Sequence, residues 1–209
     1  MKILVGLDEY LKENYRCSVF DSALQSGKEW VLHLHGYEIL QGRLVENGKY
    51  DILFAPSSNT TEGGTDRLTL PKLSVKLLYP AEIRVQVAKA IKTDARVAGL
   101  RLLPIPEPSK RYHVKNKSLY PLMRGRVVVF FTLLEGEMVR GLVADFSRYE
   151  VTLNLKGGLP VTILRHAVYN VVDKEGTCYL KTVQEKRQDW CRSPLAQDAN
   201  PQAGKVKPS

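Results

Sequence analysis

LRHAVYNVVD occupies residues 164–173, and its reading decides the fold. Arg165 and His166 stand side by side before an alternating apolar run, in which Val168, Val171 and Val172 have the spacing of sheet-core residues. A strand about to enter a core therefore carries two groups able to hold an anion at its entrance. A related stretch lies upstream. LPKLSVKLLYP (70–80), set beneath it at an offset of 93, pairs Lys72 with Arg165, Val75 with Val168 and Leu78 with Val171.

A second block precedes each of these. GRLVENGKYDILF (42–54) aligns without a gap on GLVADFSRYEVTL (141–153) at an offset of 99. Gly42 meets Gly141, Glu46 meets Asp145, Lys49 meets Arg148, Tyr50 meets Tyr149, Asp51 meets Glu150 and Ile52 meets Val151. The offset then falls because the first copy has a longer loop, around SSNTTEGGTD (57–66), where the second has only KGG. Two blocks in one order, each with a basic residue at the matching place, predict an internal duplication.

Each copy reads as a small all-β unit. WVLHLHG (30–36) and VVVFFTLLEG (127–136) are β-rich runs ending at glycine, as strands reaching a turn should. Gly42 and Gly141, inside the next block, predict a bend or a close backbone approach. Five short strands per copy predict a small, strongly curved barrel. Between the copies, residues 81–100 place Ile83, Val87, Ala90, Ile91 and Ala98 at helical spacing, while Ile83, Val85 and Val87 also alternate like a strand. Residues 103–117 are rich in proline and lysine and read as a linker. The polar tail beyond Arg187 has the composition of a disordered segment.

Composition narrows the function classes. Of 209 residues, 44% are hydrophobic and 25% charged, enough for a buried core. The balance of +9 suits a polyanionic partner, nucleic acid first and an acidic membrane surface second, although solubility alone also accounts for it. The opening MKILVGLDEY is too short in apolar residues for a signal peptide, and no run of about 18 apolar residues follows, so a cytoplasmic protein is expected. Cys17, Cys178 and Cys191 are widely spaced, which speaks against both a disulfide framework and a zinc site. Asn59-Thr60-Thr61 matches a glycosylation acceptor by chance in such a protein. Four histidines in no metal spacing, no nucleophile motif and no phosphate loop argue against an enzyme, a metal or a cofactor.

The second copy resembles the bacterial Hfq branch of the Sm-like RNA-binding proteins along about 60 residues. LYPLMRGRVVVFFTLLEG is similar to that family's N-terminal helix, basic rim and first strand. GEMVRGLVADFSRYEVTLNL follows its Sm1 pattern, and RHAVYNVV resembles the Sm2 signature, in which Lys-His precedes a small residue and an alternating strand. The first copy is a diverged version: Leu73 stands where the second has His166, and FDSALQSGK (20–28) lacks the arginines found at Arg124 and Arg126. The resemblance implies a mainly β chain of two Sm-like five-stranded barrels, each with a short N-terminal helix, joined by a partly helical linker. Repeat 1 would span 8–80, the linker 81–117, repeat 2 118–183 and a disordered tail 184–209.

The family closes its sheet edges head-to-tail into rings, and two copies per chain fit a pseudo-hexamer of three chains, a homotrimer. In the family, the Sm2 basic residue and histidine face a neighbour's Sm1 aromatic around a pore that binds single-stranded, uridine-rich RNA. Carried over, one pocket type joins Arg165 and His166 to Lys49 and Tyr50, and the other joins Lys72 to Arg148 and Tyr149. A tyrosine face stacks on an unpaired base, and Arg or Lys pairs with phosphate. Arg124 and Arg126, with Lys115 and Lys117 upstream, form a candidate rim that contacts phosphates without reading sequence. Bland alternatives stand beside these roles: His166 holding its own turn, the tyrosines packing across strands, Lys72 a solvated charge. Two functions follow, an RNA chaperone or post-transcriptional regulator, and a ring that serves protein partners with little RNA binding. Neither implies a membrane.

Overall fold

The computed structural model describes residues 4–57 and 67–182. Most of the 57–66 loop, the tail from 184 onward, Asn59 and Cys191 lie outside the described residues. The first half runs α1 (Leu7–Asn14), α2 (Val19–Ser26), β1 (Glu29–Leu34), β2 (Ile39–Asn47), β3 (Asp51–Pro56), β4 (Leu68–Pro71) and β5 (Val75–Pro80). Next come α3 (Arg84–Ala90), β6 (Lys92–Thr93) and α4 (Ala95–Gly99). The second half runs α5 (Asn116–Arg124), β7 (Val128–Leu133), β8 (Glu137–Phe146), β9 (Glu150–Asn154), β10 (Pro160–Leu164) and β11 (Val168–Asp173).

The chain is mainly β, and the eleven strands among the described residues form one antiparallel sheet. Its order is β11-β7-β8-β9-β10-β5-β1-β2-β3-β4, with β6 paired to β8. Each half repeats one internal order, fifth strand, first, second, third, fourth. The registers repeat too. Leu44 faces Phe54 as Val143 faces Leu153, and a bulge follows at the same place in both halves. Leu32 faces Leu78 as Phe131 faces Val171. The halves meet where β10 pairs with β5, Thr162 opposite Leu78 and Ile163 opposite Leu77. At Gly42 a Cβ would lie 2.1 Å from the Ala55 carbonyl oxygen, and at Gly141 2.8 Å from that of Asn154. The close backbone approach read from these two glycines is present at both.

Local sequence explains the two helices that cross the sheet. Ser18 caps α2 by accepting a hydrogen bond from Phe20 N, and Gly27, at φ 60°, ends it. Phe20 and Ala23, three residues apart, are the side chains it buries. α2 lies across β2, and α5 across β8 with Leu119, Tyr120 and Leu122 buried. Among the described residues two hydrophobic clusters fill the interior, and both cross the junction. The larger, around Phe131, Leu153 and Ile163, takes in Val31, Leu77 and Tyr79 from the first half. The smaller, around Phe20, Leu32 and Phe54, takes in Leu164 from the second.

The intervening segment divides the helix expected over 81–100 into two short pieces. Ile91 is extended, so Lys92 and Thr93 pair with Met138 and Glu137, and Asp94 then caps α4. Residues 103–117 carry one 3-10 turn at Pro108–Lys110 before α5 begins. Beyond β11 the chain turns at Gly176 and returns along that strand, bridging Cys178 to Val172. Among the described residues no helix is long and apolar enough to cross a membrane.

Candidate nucleic-acid interface

Gly48, Lys49 and Tyr50 join β2 to β3; Ser147, Arg148 and Tyr149 join β8 to β9. Both bends leave their tyrosine in solvent, 70% exposed at Tyr50 and 60% at Tyr149. Each ring carries a cation from the preceding residue: Lys49 Nζ lies 5.0 Å from the Tyr50 centroid and Arg148 Cζ 5.1 Å from that of Tyr149. The bends are held alike. Tyr50 O accepts from Lys72 N at 2.8 Å, and Tyr149 O accepts from Arg165 N at 2.8 Å. Each tyrosine backbone is thus tied to the basic residue that the alignment matched, while the ring stays free to stack.

Lys72 sits at the junction between the halves. Its Nζ donates to Gly48 O at 2.6 Å and lies 5.3 Å from the Phe20 ring. Partial burial lowers its pKa, and Asp21, Glu150 and Asp51 oppose the shift. Glu150 belongs to the other half and directly follows Tyr149, so Lys72 faces across the junction the end of the loop it was expected to join. Glu150 is buried and accepts from Ser18 Oγ at 3.0 Å and Val19 N at 2.8 Å. Burial raises its pKa, against those bonds and Lys72.

Arg165 and His166 turn into the chain. Arg165 donates to Asn116 Oδ1 at 2.9 Å and to Val114 O and Glu150 O at 3.4 Å, with its guanidinium 5.7 Å from the Phe146 ring. Burial pulls its pKa down to about 10. His166 is pressed on the first half's turn, where the backbone of Leu73 and Val75 meets it; burial, with help from Arg111 and His35, lowers its pKa to about 4. In the sheet, β5 and β1 lie between the end of β10 and the start of β2. The partners of Arg165 and His166 within one chain are therefore the linker and the 73–75 turn rather than Lys49 and Tyr50. At the other site, Arg124 and Arg126 are exposed where α5 ends, as is Lys117, while Lys115 is half-buried.

One polar cluster escaped sequence reading. Lys76, fully buried on β5, pairs with Glu135 and Glu137 of the second half and lies 5.2 Å from the Tyr37 ring. Glu135 also accepts from Gly36 N at 2.7 Å, so the β1–β2 turn is pinned to the β7–β8 turn. The available signal was a lysine between Val75 and Leu77, inside an otherwise apolar strand. Among the described residues no group of His, Cys, Asp and Glu is arranged to hold a metal ion.

Compared with known protein families, curated proteins and solved structures, the chain matches none.

Proposed function

We propose that the chain is a tandem Sm-like RNA-binding protein of the Hfq type. In this reading each half is a small curved five-stranded barrel, and three chains close a pseudo-hexameric ring in the cytoplasm. The ring binds single-stranded, uridine-rich RNA and acts as an RNA chaperone or post-transcriptional regulator, without catalysis or a cofactor. The observation that carries it is the pair of equivalent bends, each offering an exposed tyrosine with a cation over its ring. A base stacking on such a ring gains roughly 1–3 kcal/mol, and the cation lies beside it to meet the phosphate. Arg124 and Arg126 add phosphate contacts at the rim, and the net charge of +9 favours approach of a polyanion.

The test is fluorescence anisotropy of a short uridine-rich RNA over a salt series, for wild type and a Tyr50→Ala/Tyr149→Ala double variant. Wild type is expected to bind with an affinity that falls as salt rises. The double variant is expected to lose tenfold or more, on the order of the stacking energy removed. Absence of wild-type binding at low salt would overturn the reading. It would leave the second reading, a ring for protein partners, which the inward commitment of Arg165 and His166 and the loss of a histidine at Leu73 favour.

A further inference from the structure

β10 of the second half pairs with β5 of the first, through Thr162 opposite Leu78 and Ile163 opposite Leu77. This junction is a template for pairing between chains. By the duplication offset, its counterpart sets Thr69 and Leu70 of one chain against Val171 and Asn170 of another. The two surfaces differ in readiness. β4 is the last strand of the sheet, and among the described residues no strand pairs with its outer edge. Thr69 is exposed there, whereas its counterpart Thr162, covered by β5, is only 5% exposed. The receiving edge of β11 is occupied by the chain itself. Tyr179 N donates to Val171 O at 2.9 Å, Asp173 N donates to Thr177 O at 3.2 Å, and Cys178 bridges Val172.

The returning segment is anchored beyond the edge. Leu180 is buried in the larger core cluster and bridges Val114, and Lys181 N donates to His113 O at 2.6 Å. Val114 O in turn accepts from Arg165. Pairing at β11 and release of Arg165 from the linker thus involve the same strip of chain.

We propose that residues 174–182 are a latch on assembly: they occupy the β11 edge in place of β4 from a second copy, and that second copy displaces them when chains join head to tail. The proposal rests on the ring reading above and adds the gate to it. An unlatched chain joins readily, a latched one stays single, and joining frees the Arg165 guanidinium from Val114.

Opening and locking variants of the full chain test this by sedimentation velocity over a concentration series. Tyr179→Pro removes the N–H that Val171 O accepts. Val172→Cys, in a chain with Cys17→Ser and Cys191→Ser, faces Cys178 at a non-hydrogen-bonded pair, the spacing that suits a cross-strand disulfide. The opened chain is expected to associate at concentrations at least tenfold below wild type. The oxidised lock is expected to remain a single chain until reduced, and adding Thr69→Lys to the opened chain is expected to abolish association without altering its fold. Equal association of the opened chain and wild type, association of the oxidised lock, or failure of the disulfide to form would each overturn the latch. RNA anisotropy on the same chains judges the RNA reading separately, so either can fail alone.

Discussion

His33, buried on β1, and His166, half-buried in the turn before β11, are both held neutral. His33 bonds the Tyr79 hydroxyl through Nε2 at 3.0 Å, and burial beside Lys76 and Arg84 lowers its pKa to about 4. His166 reaches about the same value by burial. An unfolded chain protonates both near the ordinary 6.5. Their contribution to stability is therefore complete above about 6.5 and is lost progressively as the pH falls toward 4, because the unfolded state takes up protons that the folded state refuses. Glu150, with its pKa raised by burial, acts in the opposite sense over the carboxylate range. The duplication supplies the control residues, since Thr132 stands where the first half has His33 and Leu73 where the second has His166. A His33→Thr/His166→Leu variant is expected to lose less than half as much melting temperature between pH 7.5 and pH 5.0 as wild type does. An equal loss would show that other groups govern the acid sensitivity.

At the scale of elements, the junction depends on one buried cation. Lys76 holds Glu135 and Glu137 against β5, and removing it strands two carboxylates at the interface. Lys76→Met is expected to cost about 3–5 kcal/mol in urea unfolding, the usual price of breaking a buried pair. Adding Glu137→Leu removes one of the two orphan charges and is expected to recover a large part of that loss. No recovery would mean that the pair contributes through geometry alone. The strand bends are a separate matter. Gly42→Ala drives a Cβ into the Ala55 carbonyl and Gly141→Ala into that of Asn154, where backbone must move. Each is expected to cost about 1–3 kcal/mol by equilibrium unfolding, with the larger effect at Gly42, where the approach is closer. Equal and negligible costs would show that β3 and β9 shift freely.

For the whole molecule, the duplication organises everything, and it was legible because its signals are local. Gly42 and Gly141 announce the close strand crossings, and matched apolar positions such as Val75 and Val168 set the register of the fifth strands. The loops at Tyr50 and Tyr149 were legible for the same reason, as identical residues in one frame. Less legible were features that depend on which distant groups meet. Arg165 was read as an open pore cation, but its partners come from Val114 and Asn116, in a linker whose path no periodicity reveals. The partners of Lys76 had no local signal, because its carboxylates lie some 60 positions along the chain. The return of residues 177–180 onto β11 had no alternation to announce it, only Gly176 at φ 81°. The net charge of +9 supports the proposed polyanionic partner as the loops do, and both hydrophobic clusters take side chains from the two halves.

The central claim is that RNA lies on the two equivalent tyrosine loops. Photocrosslinking a 4-thiouridine-substituted, uridine-rich RNA to the full chain, followed by mapping of the crosslinked peptides, tests it most directly. Crosslinks concentrated at Tyr50 and Tyr149, competed away by excess unlabelled RNA, are the predicted result. Crosslinks spread over the basic 103–117 linker with none on either loop would contradict it.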